Sequence, residues 1–325
     1  MYKRTEPQSM QEFESEGMVD SCSIVITTYN SAEYVVKALD SVVNAFKCLK
    51  HEVIVVDDCS SDIEELERVV EEYESAKLLK KKTKTNAADS RNIGIKKSAY
   101  DYVFLLDSDD EFLYGAPERR LCLHKKNKVG VLFGAFRLVS RNGSELKGGN
   151  GWDGADIRRY LFVKNGDFRT STISIFKPYY KGTLFDEASF KHQDWIFGIR
   201  CYDNSESIGH DEIPATKINI DNKHRMSSSI NISASMYFCN KYLPDENYKN
   251  LFFKQNAFAS LRLGDYKGLL YFSDRLVGHI LSFQERAILR IAGVSHKSFK
   301  FVRWIVLAIY AARKVCMRHF SARNL

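Results

Sequence analysis

Apolar residues along the chain recur with two different periods. Ser23-Ile24-Val25-Ile26-Thr27-Thr28 is a short β-branched run, and Val53-Ile54-Val55-Val56 and Tyr102-Val103-Phe104-Leu105-Leu106 are unbroken apolar runs. Runs of this kind predict strands buried on both faces. Between them the spacing becomes helical. Tyr34, Val35, Ala38, Leu39 and Val42 mark the inner face of one helix, with Asn30 or Ser31 placed to cap it. Leu66, Val69, Val70 and Tyr73 mark a second, capped by Ser60, Ser61 or Asp62. A weaker strand around Leu78 to Lys82 precedes a helix near Ala88 to Ser98. Such alternation predicts right-handed βαβ units and a parallel sheet covered by helices on both faces.

Beyond Val129 the pattern loosens. Val131-Leu132-Phe133 and Ser171 to Phe176 read as strands, and Gly148-Gly149-Asn150-Gly151 as a flexible turn. Residues 185–203 read as helical, with Trp195, Ile196 and Ile199 at core spacing. From Ser233 onward the chain reads as helices. The expected organisation is a flexible leader over 1–20, a catalytic α/β domain over 21–230 and a helical C-terminal region over 231–325.

Composition narrows the class only a little. The 325 residues suffice for one large domain with a helical extension, and 44% hydrophobic and 27% charged residues suit a globular fold. A net charge of +7 fits an anionic substrate, nucleic acid or an acidic membrane and decides among none of them. The seven cysteines form no C-x-x-C pair, which predicts scattered thiols in a reducing cytosol rather than a disulfide framework or a zinc site. The leader lacks the apolar core of a signal peptide. No run approaches the roughly 18 apolar residues needed to span a bilayer.

Chemistry concentrates at the strand ends. Ligands of open α/β sheets bind beyond the carboxyl ends of the strands. Thr28-Tyr29-Asn30, Asp57-Asp58 and Asp107-Ser108-Asp109-Asp110 each follow such an end, so they converge on one rim. Three aspartates within four residues repel one another, and a divalent cation with hard oxygen ligands offsets that repulsion. Such a cation also bridges to a diphosphate and neutralises the leaving group.

In these residues the chain resembles the family 2 inverting glycosyltransferases of the GT-A fold. Ser23 to Asn30 looks like their opening strand and Val55-Val56-Asp57-Asp58-Cys59-Ser60-Ser61-Asp62 like their second motif. Ser90-Arg91-Asn92-Ile93-Gly94 resembles their Ala-Arg-Asn-x-Gly element, and Leu106 to Asp110 their DxD motif. His192-Gln193-Asp194-Trp195 resembles their Glu-Asp element, with glutamine in place of glutamate. The resemblance covers roughly residues 20–230. It implies a Rossmann-like mixed sheet flanked by helices, followed by the C-terminal helical extension.

The resemblance also implies roles. Thr27, Tyr29 and Asp57 would hold the base of a nucleotide-sugar donor: a carboxylate accepts the N3 proton of uracil, and Tyr29 stacks on the ring, which favours UDP. Arg91 would lie near the base or phosphates. Asp107 would contact ribose, metal and diphosphate, Asp109 would ligate Mn2+ or Mg2+ with His224, and Asp194 would be the general base. Asn222-Lys223-His224-Arg225 with Ser227-Ser228-Ser229 resembles a basic loop over the diphosphate. Inversion is a single displacement, needing a base on the acceptor side and charge stabilisation on the leaving-group side. The expected reaction is transfer of a hexosyl group to a glycan or lipid-linked acceptor in bacterial surface-polysaccharide assembly.

Two further features bear on partners. The run Lys80-Lys81-Lys82 reads as a solvated strand edge, and Trp152 and Asp153 as candidates for the sugar pocket. Residues 281–325 carry nine Lys or Arg against the single acid Glu285. As one helix over 299–320, Lys300, Arg303, Lys314 and Arg318 form a stripe, with Phe301, Ile305, Ile309, Ala312, Cys316 and Phe320 largely opposite. Such a helix suits an anionic membrane surface, giving an enzyme peripheral on the inner face of the cytoplasmic membrane; packing on the protein or a homo-oligomer is the alternative. The place of a nucleotidyltransferase's glycine-rich loop holds Thr28-Tyr29-Asn30-Ser31 instead. An inactive scaffold would not need both Asp109 and Asp194. No nucleic-acid-binding module is recognisable.

Overall fold

The computed structural model describes residues 20–140, 145–149, 151–220, 229–277 and 280–321, with side chains to Ile309 in the last helix. The first half is β1 (Ser21–Thr28), α1 (Ala32–Ala45), β2 (Lys50–Asp57), α2 (Ile63–Glu71), β3 (Ala76–Lys80), α3 (Ala87–Lys97) and β4 (Tyr102–Asp107). Next come β5 (Glu111–Phe112), α4 (Ala116–Asn127), β6 (Val131–Gly134), β7 (Phe136–Val139), β8 (Glu145–Gly148), α5 (Ile157–Phe162), β9 (Ser174–Phe176), α6 (Gln193–Asp203), β10 (Ile208–Asp211) and β11 (Thr216–Asn219). The rest is helical: α7 (Ile232–Tyr242), α8 (Glu246–Leu263), α9 (Tyr266–Asp274), α10 (Phe283–Val294) and α11 (His296–Ser321).

A seven-stranded sheet runs β10-β6-β9-β4-β1-β2-β3, and a smaller one runs β5-β11-β7-β8. Strands β3, β2, β1 and β4 are parallel, while β9 is antiparallel to β4 and β6. The main sheet is therefore mixed, not wholly parallel. Alternation along each central strand feeds two cores, because successive side chains point to opposite faces. Ile24, Ile26, Val53, Val55, Phe104 and Leu106 pack with α1 and α2, whereas Val25, Val103 and Leu105 enter the larger core on the other face. Phe238, Phe252, Phe272 and Leu289 of the C-terminal helices belong to that same larger core.

Local polar groups account for the departures from the pattern. The strand expected from Ser171 begins only at Ser174, because Thr170–Thr172 form a 3-10 turn. The Thr172 hydroxyl donates to Arg169 O and the Ser171 hydroxyl to Asp110, bonds that compete with a ladder. The helix expected from residue 185 begins at Gln193. Before it, Phe185 pairs its N–H and C=O with the Asn92 amide, as a neighbouring strand would. Strand β3 lies two residues earlier than expected, where its register places Ala76 beside Val53 and Lys80 beside Asp57.

The last helix also corrects the expected stripe. Arg303 does not share a solvent face with Lys300: its Nε donates to Arg262 O at 3.2 Å, satisfying a carbonyl at the end of α8. Phe299 and Val302 are buried, while Phe301 faces outward. Among the described residues no helix is long and apolar enough to cross a membrane. Among the described side chains six cysteines are free thiols, three of them buried.

Candidate active site

Parallel register brings the expected rim together. Thr28 lies beside Asp57, and Thr27 beside Asp107. The loops beyond are knitted side chain to backbone. The Asn30 carboxamide accepts from Ser61 N at 2.8 Å, and Asn30 itself adopts a left-handed φ of 48°. Neither Ser31 nor Asp62 caps its own helix through a side-chain bond; instead Asp62 Oδ2 accepts from Ala32 N at 2.9 Å, so the second loop caps α1. The Ser31 hydroxyl bonds those of Thr28 at 2.6 Å and Ser108 at 2.9 Å, joining the first loop to the acidic one. Asp57 is buried and accepts from Ser60 N and the Ser60 hydroxyl. Tyr29 is 46% exposed, with the Lys84 ammonium over its ring.

The segment Ser90 to Gly94 in α3 holds this rim against the rest of the protein. Arg91 is 4% exposed and donates to Asp107 Oδ1 and to Gln193 Oε1, both at 2.8 Å. It thus spans from the end of β4 to the start of α6. Among the described residues its Nε has no hydrogen-bond partner. Asn92 binds the backbone of Phe185 and the carboxylate of Glu187. A Cβ at Gly94 would meet Val25 Cγ1 at 2.2 Å, so only glycine lets α3 approach β1 this closely.

The acidic loop divides its labour. Asp110 is 2% exposed, accepting from Ser171 Oγ at 2.5 Å and Asn219 N at 3.0 Å, so it braces the loop from within. Asp107 gives one oxygen to Arg91 and remains partly open, and Asp109 is half-buried at the tip. Two carboxylates at an open edge fit a magnesium or manganese ion that completes its shell with substrate phosphates rather than with a cage of protein ligands. Among the described residues no three His, Cys, Asp or Glu side chains form such a cage. His224 and the basic loop around it lie outside the described residues.

Asp194 sits in the first turn of α6, one residue past the glutamine that Arg91 grips, and Trp195 N donates to its Oδ1 at 2.9 Å. Burial pushes its pKa up to about 6; Arg169 and then Arg91 pull against this and Asp167 adds to it. A carboxylate so placed accepts a proton near neutral pH. Arg169 was not among the expected site residues. It pairs with Asp167 at 2.8 Å, and its charge reaches Asp194 and Asp110. Its only signal in the chain is a polar stretch, Asp167 to Thr172, interrupted by Phe168.

From the opposite side, α7 fastens the segment that leads into Asp194. Asp186 Oδ2 accepts from Tyr237, Lys241 and Tyr242. Burial raises its pKa, but these three donors overcome it and hold the carboxyl down to about 2. His192 takes a left-handed φ of 60°, bonds Ser235 Oγ at 3.1 Å and stacks on Trp195.

One expectation at the edge of the site changes. Lys81 is not solvated: its ammonium is buried between Asp58 and Asp89, each at 2.7 Å, while Lys80, paired with Glu67, and Lys82 are exposed. Trp152 packs on Phe133 and donates to Ala155 O, while Asp153 pairs with Arg159 at 2.7 Å.

A model of the family described as Glycosyl transferase family 2 matches residues 23–189, from the first core strand to the segment before α6. The chain belongs to this family. It is 33% identical over 197 residues to the amylovoran biosynthesis glycosyltransferase AmsB of Erwinia amylovora, covering 56% of this chain and 64% of that protein. It is 28% identical to the poly(ribitol-phosphate) beta-N-acetylglucosaminyltransferase TarP of Staphylococcus aureus, covering 57% of this chain and 58% of that one. The chain thus spans less than two thirds of either relative. An uncharacterized glycosyltransferase of Haemophilus influenzae is 26% identical over 253 residues, 77% of this chain and 92% of its own. In fold the chain matches residues 1–349 of S. aureus TarS, with a TM-score of 0.56 at 18% identity over 87% of this chain and 90% of that one. The fold is the GT-A α/β fold, with a mixed sheet flanked by helices and further helices after it.

Proposed function

We propose that this family 2 enzyme transfers a hexosyl group from a UDP-sugar to a hydroxyl of a glycan or lipid-linked saccharide, by single displacement with inversion. The observation that carries the reading is Arg91, which bonds both Asp107 on the donor rim and Gln193 beside Asp194. One buried side chain thus ties a nucleotide-and-metal edge to a carboxylate whose pKa lies near 6. Thr27, Tyr29 and Asp57 hold the base, and Asp194 takes the acceptor proton. Asp109, with Asp107 beside it, would hold Mn2+ or Mg2+, and His224 is a further ligand on the strength of the family resemblance. The ion supplies charge neutralisation on the leaving diphosphate.

Relatives support the substrate class. AmsB is named for amylovoran biosynthesis, TarP for poly(ribitol-phosphate), and the TarS structure was determined with UDP-GlcNAc. We place the enzyme on the inner face of the cytoplasmic membrane, where lipid-linked acceptors are found. The test is a screen of nucleotide sugars with Mn2+ or Mg2+, following nucleotide release and the anomeric configuration of the product. Wild type should turn over a UDP-sugar, and EDTA should abolish this until metal is restored. Asp109→Ala should be inactive. Turnover that survives both EDTA and Asp109→Ala sinks the metal assignment.

A further inference from the structure

Helices α10 and α11 are joined by the single residue Ser295 and pack against each other. Their inner residues Leu289, Ala292, Phe299 and Val302 complete the larger core. Their outer residues are unusual for a protein surface. On α10, Phe283 is 87% and Val294 75% exposed. At a turn of about 100° per residue, positions 283, 287, 290 and 294 share an arc of about 60°. On α11, Phe301 is 61% and Trp304 68% exposed, and positions 297, 300, 301, 304 and 308 share an arc of about 100°. Each apolar stripe carries exposed cations: Arg290 on the first helix, Lys297 and Lys300 on the second. The one acid between residues 281 and 309, Glu285, is turned to Lys254 and to its own helix cap.

We propose that the outer faces of α10 and α11 together form a docking surface for anionic lipid. The chemistry selects this occupant. Four exposed apolar side chains call for a hydrocarbon environment, which a polyanion does not offer. Arg290, Lys297 and Lys300, in a stretch whose one acid is Glu285, call for negative charge, which a second copy of the same basic face does not offer. An anionic bilayer surface supplies both: phosphates for Arg and Lys, and an acyl boundary for Trp and Phe. The platform differs from a lone terminal helix, since half of its exposed apolar residues lie on α10. It deepens the proposed lipid-linked acceptor by giving the enzyme a means to meet it, and it rests on that reading only for its purpose.

The test is flotation of the full chain with vesicles of phosphatidylcholine alone, or with roughly 30 mole per cent phosphatidylglycerol. Binding should appear only with phosphatidylglycerol and fall as salt rises. Lys297→Glu with Lys300→Glu, Phe301→Ser with Trp304→Ser, and Phe283→Ser with Val294→Ser should each weaken it at least tenfold. All these residues are exposed, so circular dichroism and UDP-sugar hydrolysis should stay at wild-type level. Absence of vesicle binding, or binding indifferent to the α10 pair, overturns the proposal. So does a dimer in light scattering that Phe301→Ser with Trp304→Ser converts to monomer without affecting flotation. So does heparin binding that depends on the lysines while flotation does not. If vesicle binding behaves as expected but no nucleotide sugar is hydrolysed, the surface stands and the catalytic reading falls.

Discussion

Asp194 holds its pKa near 6 by burial, against the pull of Arg169 and Arg91. In its proposed role as base it works as the carboxylate, so the turnover rate should rise with pH to a plateau above about 6, falling about tenfold per unit below it. Asp194→Asn should lower transfer by roughly 10²–10⁴-fold with donor affinity intact, which nucleotide binding can check. The sign for stability is the reverse. Because the folded pKa is raised above that of the unfolded chain, the folded state holds the proton more tightly between about 4 and 6 and loses stability as pH climbs through that window. Asp194→Asn should therefore melt higher than wild type at pH 8. Gln193 explains itself at the same scale: its Oε1 takes Arg91 and its Nε2 donates to Ser189 O, which a glutamate could not do. Gln193→Glu places a second carboxylate next to Asp194, so the acid limb of the pH–rate profile should move upward.

Among elements, β1, β2 and β4 are legible in the sequence because burial on both faces leaves unbroken apolar runs, and their parallel register then makes the rim a geometric necessity. Helix α3 shows what one element does for that rim. Gly94→Ala would push α3 off Val25, at a cost of about 1–3 kcal/mol in denaturant unfolding, and would displace Arg91 with it. Less of α6 is legible. Its true start depends on Asn92, Asp186 and His192 meeting partners that lie tens of residues away in the chain. Arg169 is hidden for the same reason: nothing in its neighbours reveals that folding carries it to Asp194. Tyr242→Phe removes a donor to a buried carboxylate, so it should cost about 1–3 kcal/mol. The Asp186 carboxyl is held low, so this fastening persists above about pH 4 and is lost as pH falls toward 2.

At the scale of the whole molecule, the helices after β11 are part of the globule. Leu289, Ala292, Phe299 and Val302 share a core with Val25 and Leu105 of the central sheet. Removing residues 282–325 should therefore lower stability by about 5 kcal/mol, from the loss of these buried side chains, rather than merely detach a tail. Chemical denaturation of the shortened chain checks this. Sequence periodicity identified helices here without revealing their inner faces, since basic and apolar residues alternate on both sides of α11.

The grip of α7 on Asp186 and His192 has a consequence for how this protein can be recombined with its relatives. The family match ends at residue 189, yet the segment just there is bolted to a helix some forty residues further on. A chimera cut at that boundary would inherit Asp194 without the partners that aim it. A seam after Leu243 keeps α7 with the segment it grips, provided that the incoming helices supply a ring where Phe252 meets His192.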